Sequence, residues 1–383
     1  MKIVLAPNAL KGSLTALQAG EAMRDGIQAV LPDARVQIIP VSDGGDGLVE
    51  VLSSPLAAEQ HRCRVSGPLG TPMEATFLFC PGKQLAVIEM ASASGLALLP
   101  ETGRDPMLAS SRGTGELIRA ALDLGCKHIV LGLGGSATTD GGTGMLDVLG
   151  IHFLDNRGNT LAGNGAQLAE IHRIDCSNRD ARLASVTLDV ACDVSNPLLG
   201  GNGAAHIYAP QKGATPAQVK QLEQGLANLA DIIENETGLD IRDLPGGGAA
   251  GGAGAGLAAL SGAVLKPGAQ TVLELLGLNT TLGDAELVIT CEGRLDRQTR
   301  FGKAPAAVAK LAQALNVPCI AIAGSVDDAE GAVSEIGFSA VFSLCRETTD
   351  IHASMKHAAA RLQDTTRQAV HHWFFNSPLP PSP

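Results

Sequence analysis

Short apolar runs that break into polar, glycine-rich segments recur along the chain. KIVLAP (2–7) predicts a buried strand and runs into the polar loop NALKGSL (8–14). TALQ then carries a capping-box pattern, Thr15 with Gln18, and starts a helix that continues to about Val30. RVQIIPVSD (35–43) predicts the next strand, DGGDG (43–47) its exit loop and GLVEVLSS a second helix. This β-α-β-α order favours parallel strands.

The texture changes near residue 61. HRCRVSGPLGTPMEATFLFC alternates around a Gly-Pro turn, as an antiparallel hairpin does, and QLAVIEMASASGL continues the β-rich stretch. Helical signals return at GTGELIRAALDLG (113–125), and HIVLGLGG (128–135) and VTLDVACDV (186–194) predict strands. TPAQVKQLEQGLANLADIIENETG (215–238) is a strongly periodic helix. PGGGAAGGAGAGLAALSGAVL (245–265) is either a Gly/Ala helix packed tightly on its neighbours or backbone offered to a ligand. The α/β pattern resumes with strands at 285–293, 317–325 and 338–344 and helices at 303–316 and 354–374. No internal repeat of roughly 20–50 residues is apparent.

Both ends of the chain therefore share one texture and the middle has another. The expected fold is α/β. Residues 1–62 and 284–383 form a Rossmann-like parallel-sheet domain, interrupted by a large second α/β domain, 63–283, of α+β character. The ligand site is expected in the cleft between them.

Composition narrows the function. The 383 residues are 45% hydrophobic and 17% charged, which describes a folded chain with a large core. Aromatics are only 3%, so Leu, Val, Ile and Ala must fill that core. A net charge of -11 argues against nucleic-acid and membrane-surface roles. It leaves room for a local anion pocket made by a few cations or helix N-termini. Eight cysteines without CxxC or zinc spacing read as buried free thiols in a reducing cytosol. The apolar start is too short for a signal peptide, and no run is long enough to span a membrane. The expectation is a soluble cytoplasmic protein.

The polar residues cluster where strands end. The exits carry Asn8, Lys11 and Ser13; Asp43 and Asp46; Ser136, Thr138 and Asp140; Asp193, Ser195 and Asn196; and Glu292, Arg294 and Asp296. Ligands of open α/β sheets bind beyond the carboxyl ends of strands. Loops favour such residues anyway, so the set carries more than any one exit.

In LGLGGSATTDGGTG (131–144), Gly134 and Gly135 bare the backbone and Ser136, Thr138 and Thr139 add hydroxyls. Successive amides leading to a helix N-terminus can form an anion-binding concavity. Asp140 would repel a phosphate unless Mg²⁺ bridged the two; alternatively it caps the helix of a tight turn. In CDVSNPL, Asp193 beside Asn196 matches a pairing used in phosphoryl transfer, or forms an Asx-turn before Pro197. EGRLDRQTRFGK gathers Glu292, Arg294, Asp296, Arg297, Arg300 and Lys303. These groups either neutralise a transferring phosphoryl group and capture a carboxylate, or pair with one another at the surface. Lys11 suits a carboxylate or phosphate as well as solvent, and Asp43 and Asp46 suit Mg²⁺, hydroxyls or a turn. GxxxxGK[ST], HExxH and GxSxG are absent, as is GxGxxG after the first strand.

Together these segments resemble the type-1 glycerate kinase family. APNALKGSL is similar to its APDSFKGSL, VSDGGDG to its ADGGEG and GLGGSATTDGG to its GGSATNDGG. CDVSNPLLGGNGAAHIYAPQKGA and ITCEGRLDRQTRFGKAP match two further segments, with Cys291 for the usual Gly. The resemblance implies a cytoplasmic two-domain enzyme that phosphorylates D-glycerate with ATP and Mg²⁺, giving 2-phosphoglycerate.

On that basis Asp193 is expected as the base that activates the hydroxyl, with Asp296 as the alternative. Lys11, Ser13 and Arg294 would hold glycerate. Gly134, Gly135, Ser136 and Thr138 would cradle the ATP phosphates, and Asp140 and Asn196 would hold Mg²⁺. A kinase for another small hydroxy acid, or a carboxylate-binding sensor without chemistry, stays open. So does assembly into a homo-oligomer.

Overall fold

The computed structural model describes the chain except residues 46, 297, 298, 300, 301, 328–330, 332–334, 346–354 and 376–383. The expectations attached to Asp46, Arg297 and Arg300 lie outside the described residues. The first elements are β1 (Lys2–Pro7), α1 (Ala16–Gln28), β2 (Arg35–Ile38), α2 (Leu48–Ser53), β3 (Glu59–Ser66), β4 (Pro72–Cys80), β5 (Leu85–Glu89) and α3 (Ala91–Ser94). Then come α4 (Arg112–Asp123), β6 (His128–Gly132), α5 (Thr143–Val148), β7 (His152–Leu154), β8 (Arg173–Asp175) and β9 (Thr187–Ala191). They are followed by α6 (Ala204–Tyr208), α7 (Pro216–Thr237), α8 (Ala249–Ser261), β10 (Val264–Lys266), α9 (Gly268–Leu275) and α10 (Leu278–Leu282). β11 (Leu287–Leu295), α11 (Ala304–Ala314), β12 (Cys319–Val326), β13 (Ala340–Ser343) and α12 (Ala358–Phe375) complete the described elements.

The chain divides into two units, Met1–Asp43 with Ala269–Pro383, and Gly44–Gly268. The junctions fall before the 62/63 and 283/284 positions expected from texture. The reason is packing. α2 lies on β4 and β5 of the second unit. Ala269, Leu273, Leu278 and Leu282 of α9 and α10 pack with Val4, Ala6, Ile39 and Val41 of the first.

The first unit is a five-stranded sheet in the order β13-β12-β11-β1-β2, and every pairing is parallel. Successive side chains of β1 point to opposite faces. Ile3 and Leu5 join Met23 and Ile27 of α1 and Leu362 and Val370 of α12. Val4 and Ala6 join Val308 and Ala309 of α11. Helices therefore cover both faces, which explains why the strands read as unbroken apolar runs. The capping box on Thr15 is present: Gln18 N–H donates to Thr15 Oγ1, and Thr15 N–H donates to Gln18 Oε1. The second predicted strand is regular only to Ile38. Beyond it the Ile39 and Val41 amides still donate to the Leu5 and Pro7 carbonyls, and Pro40, with no N–H, falls between them.

The second unit holds a six-stranded sheet, β10-β9-β6-β5-β4-β3. β3 and β4 form the expected antiparallel hairpin, and β5, β6, β9 and β10 run parallel to one another. β7 and β8 pair separately. α7 carries a capping box of its own, Thr215 with Gln218. All eight cysteines are free; Cys80, Cys126, Cys291 and Cys319 are buried, whereas Cys176 is exposed. No helix among the described residues is long and apolar enough to cross a membrane.

The small-residue stretch forms α8, entered through left-handed backbone at Ala250, Gly251 and Gly252. A Cβ on Gly251 would lie 2.2 Å from the Thr138 carbonyl oxygen, and one on Gly256 would lie 2.1 Å from that of Gly141. Glycine here lets a helix and the 138–142 loop meet backbone to backbone. Gly256→Ala gains about 1 kcal/mol of helix propensity but meets an overpacking cost of about 1–3 kcal/mol and a backbone that cannot yield. The expected outcome is a lower urea midpoint for Gly256→Ala. Gly82→Ala, which meets nothing within 4 Å, should leave the midpoint unchanged or raise it.

Candidate functional site

Within the first unit, taken in chain order, the sheet runs 2-1-3-4-5 with β11 as the third strand. Such sheets open a crevice beyond the carboxyl ends of strands one and three, where the strand order reverses. β1 and β11 are those strands, and their exits carry the expected polar groups. Lys11 is exposed and Ser13 half-buried after β1. Glu292 lies near the end of β11, only 9% exposed. Lys303, at the start of α11, has its Nζ 3.7 Å from Glu292 and 3.6 Å from Asp296.

Burial drives the Glu292 carboxyl up to about 7, against the pull of Lys303; Asp43 and Asp296 add to the rise and Lys11 opposes it. No hydrogen-bond donor reaches Glu292 Oε2 among the described residues. Asp296 is held differently. Its Oδ1 accepts the Thr299 amide at 3.1 Å and the Thr299 hydroxyl at 3.4 Å. Asp43 turns its Oδ1 to the Ala304 amide at 2.7 Å, the N-terminus of α11, and also accepts from Asn8 Nδ2 at 3.3 Å. Arg294 stands apart from the glycerate-holding role expected of it. Its side chain is 64% exposed and pairs with Asp327 at 2.9 Å.

In the second unit the strand exits converge on residues 133–140. The Leu133 amide donates to Ala191 beyond β6, the Leu96 amide to Gly135 and the Ala137 amide to Ser94. These bonds pin the glycine loop to its neighbours while Gly135 stays exposed and Gly134 half-exposed. Neither glycine amide has a protein acceptor among the described residues. Ser136 is 8% exposed; Thr138 and Thr139 are fully buried. The Thr138 hydroxyl, expected in the phosphate cradle, lies beneath the loop surface with no hydrogen-bond partner among the described residues. The part of the loop that reaches the surface is Gly134, Gly135 and the edge of Ser136.

Asp140 differs from its expected metal-binding role. It is fully buried, and protein donors take both oxygens. Oδ2 accepts the Ser111 amide at 2.8 Å, the Ser111 hydroxyl at 2.6 Å and the Gly144 amide at 3.4 Å; Oδ1 accepts the Gly142 amide at 3.1 Å. Burial raises its pKa and these donors oppose the rise. Ser111 precedes α4, and Gly142 and Gly144 start α5, so one carboxylate answers the positive ends of two helices. The start of α5 is thereby already satisfied and is not left for a phosphate.

Asn196 is likewise occupied. Its Oδ1 accepts the Tyr208 hydroxyl at 2.6 Å and its Nδ2 donates to the Asn202 carbonyl at 2.8 Å. Among the described residues no three His, Cys, Asp or Glu side chains gather as a metal-binding group. The Asp140 and Asn196 pair thus does not fit a protein-held Mg²⁺. Asp193 is half-buried at the exit of β9, and its Oδ1 accepts the Gly268 amide at 2.8 Å.

Sequence reasoning missed Lys212. It is 2% exposed, and its Nζ donates to Ser136 Oγ at 3.0 Å and to the Thr138 carbonyl oxygen at 2.5 Å. The segment APQKGA gives no periodic sign that its lysine is buried; the matching family motif was the only available signal.

The profile of the Glycerate kinase family matches residues 3–374. A glycerate kinase of Halalkalibacterium halodurans is 45% identical over 365 residues, covering 95% of this chain and 96% of that protein. The glycerate 2-kinase of Escherichia coli (strain K12) is 44% identical over 344 residues, covering 90% of each. A crystal structure of a Salmonella typhimurium LT2 protein, provisionally named glycerate kinase 2, superimposes with a TM-score of 0.85 at 43% identity, covering 97% of this chain and 98% of that one. The family model and the relatives match along nearly the whole sequence: the chain belongs to the glycerate kinase family, a family of enzymes.

Proposed function

We propose that this chain transfers the terminal phosphoryl group of ATP to the C2 hydroxyl of D-glycerate, giving 2-phosphoglycerate and ADP. The observation that carries this reading is the buried Glu292 carboxyl beside Lys303 and Asp296 at the β1/β11 strand ends of a glycerate kinase family member. D-Glycerate offers one carboxylate and two hydroxyls. Lys11 and Lys303 supply cations for the carboxylate and Ser13 a hydroxyl partner.

The hydroxyl oxygen forms the new bond to phosphorus while the bond to the bridging oxygen of ADP breaks, and the hydroxyl proton passes to a carboxylate. Glu292 suits that transfer better than the expected Asp193 or Asp296. A base near 7 is about half ionised at neutral pH and binds the transferred proton well. Asp296 spends its charge on the Thr299 donors and Lys303, and Asp193 holds the Gly268 amide. The Gly134 and Gly135 amides and the Ser136 hydroxyl supply donors for phosphate oxygens. The metal enters with ATP as part of the substrate, and no side chain is assigned to it.

The primary test is ADP release with ATP, Mg²⁺ and D-glycerate, with the product position read by phosphorus NMR. Dependence on all three with phosphate on C2 is the expected outcome. Turnover only with another hydroxy acid would correct the substrate, and glycerate binding without turnover would favour the sensor reading.

Glu292→Gln should lower kcat by roughly 10²–10⁴ and abolish the rise of rate with pH through about 7. If Asp193→Asn shows that loss and Glu292→Gln does not, the proton acceptor is Asp193.

The same group sets a stability trend with a definite sign. Its folded pKa of about 7 lies above the ordinary 4.5, so the folded state binds more protons between those values. Stability from this site is fully present below about 4.5 and is lost as pH rises through about 7, by up to about 3 kcal/mol. Urea titrations at pH 5 and pH 8 should show that slope in the wild type and a flatter one in Glu292→Gln.

A further inference from the structure

Lys212 closes the 210–212 turn that follows α6, and it is the buried lysine behind the glycine loop. An ammonium has three donors and no acceptor, whereas a serine hydroxyl has one donor and accepts through its oxygen. The 3.0 Å bond from Nζ therefore fixes Ser136 Oγ as acceptor toward Lys212. The Ser136 O–H proton is then left to donate elsewhere, and no protein acceptor takes it among the described residues. The second bond, to the Thr138 carbonyl at 2.5 Å, ties the loop two residues further on. The neighbouring Gly134 and Gly135 amides are also donors without protein acceptors.

We propose that Lys212 is a positioning residue for phosphate binding: held between Ser136 and Thr138, it commits the Ser136 hydroxyl to donate alongside the Gly134 and Gly135 amides. The loop then offers an anion donors only. Burial pulls the Lys212 pKa down to about 7, against the charge of Asp140, so the ammonium that fixes this arrangement is the form present below about pH 7 and the form a bound anion favours. In its protonated form this buried charge behind the loop is little screened by solvent, so it adds long-range attraction to the same anion. This inference rests on the reading that the loop takes the phosphates of ATP.

The test compares wild type, Lys212→Met, Ser136→Ala and the double variant in the glycerate-dependent ADP-release assay, with ATP binding measured separately by calorimetry. Lys212→Met is expected to raise the KM and Kd for ATP at least about tenfold, the loss typical of a hydrogen bond to a charged group, and to leave the KM for D-glycerate unchanged. Ser136→Ala should raise the ATP constants several-fold. The double variant should cost less than the product of the two single effects, because Lys212 acts through Ser136. A lysine needed only for folding would reduce active enzyme and apparent kcat while KM for ATP stayed at the wild-type value; that result overturns the proposal. If Lys212→Met does not fold, Ser136→Ala with an unchanged Kd for ATP overturns it instead. A wild type that neither binds ATP nor releases ADP overturns the underlying reading, and the inference falls with it.

Discussion

The Asp140 carboxylate is the interaction on which the second unit's loop architecture depends. It draws the Ser111 amide and hydroxyl, ahead of α4, and the first amides of α5 onto one buried group. Ser111 Oγ in turn accepts the Met145 amide at 3.0 Å, which fastens α5 to the start of α4 a second time. With those orphan helix donors answered internally, the loop ahead of Asp140 is held from below and keeps its bare amides at Gly134 and Gly135. A buried carboxylate of this kind is tolerated because several donors replace the water it gave up.

The first unit solves a different problem. Its sheet is buried on both faces, so chemistry can sit only at the strand ends, and the reversal of strand order selects β1 and β11. There the two acidic groups fare unequally. Asp296 has the Thr299 donors, while Glu292 has a nearby ammonium and little else. Burial accordingly lifts the Glu292 pKa to about 7.

Much of this was legible in the sequence because it is local. The Thr15/Gln18 cap, the β3–β4 hairpin, the parallel texture of both ends and the crowding of polar residues at strand exits are all short-range patterns. The roles of single residues were less legible. Asp140 looked like a metal ligand because its partner Ser111 lies 29 residues away. Arg294 looked like a substrate cation because Asp327 is 33 residues downstream. Lys212 drew no reading at all, because its contact lies 76 residues back, at Ser136. The unit junctions escaped for a similar reason: α2, α9 and α10 declare their allegiance by which sheet they pack against, not by composition.

The pairing of β1 with β11 has a consequence for biosynthesis. The ribosome releases β1 and β2 early, yet β1 must wait for the whole second unit and for α9 and α10 before β11, its inner neighbour, exists. Through that interval β1 carries an apolar edge with unsatisfied amides, the type of surface on which nascent chains aggregate. The second unit, contiguous from Gly44 to Gly268, can close while β1 waits. The order of emergence therefore completes the central unit's sequence before the first unit's sheet can close around β1.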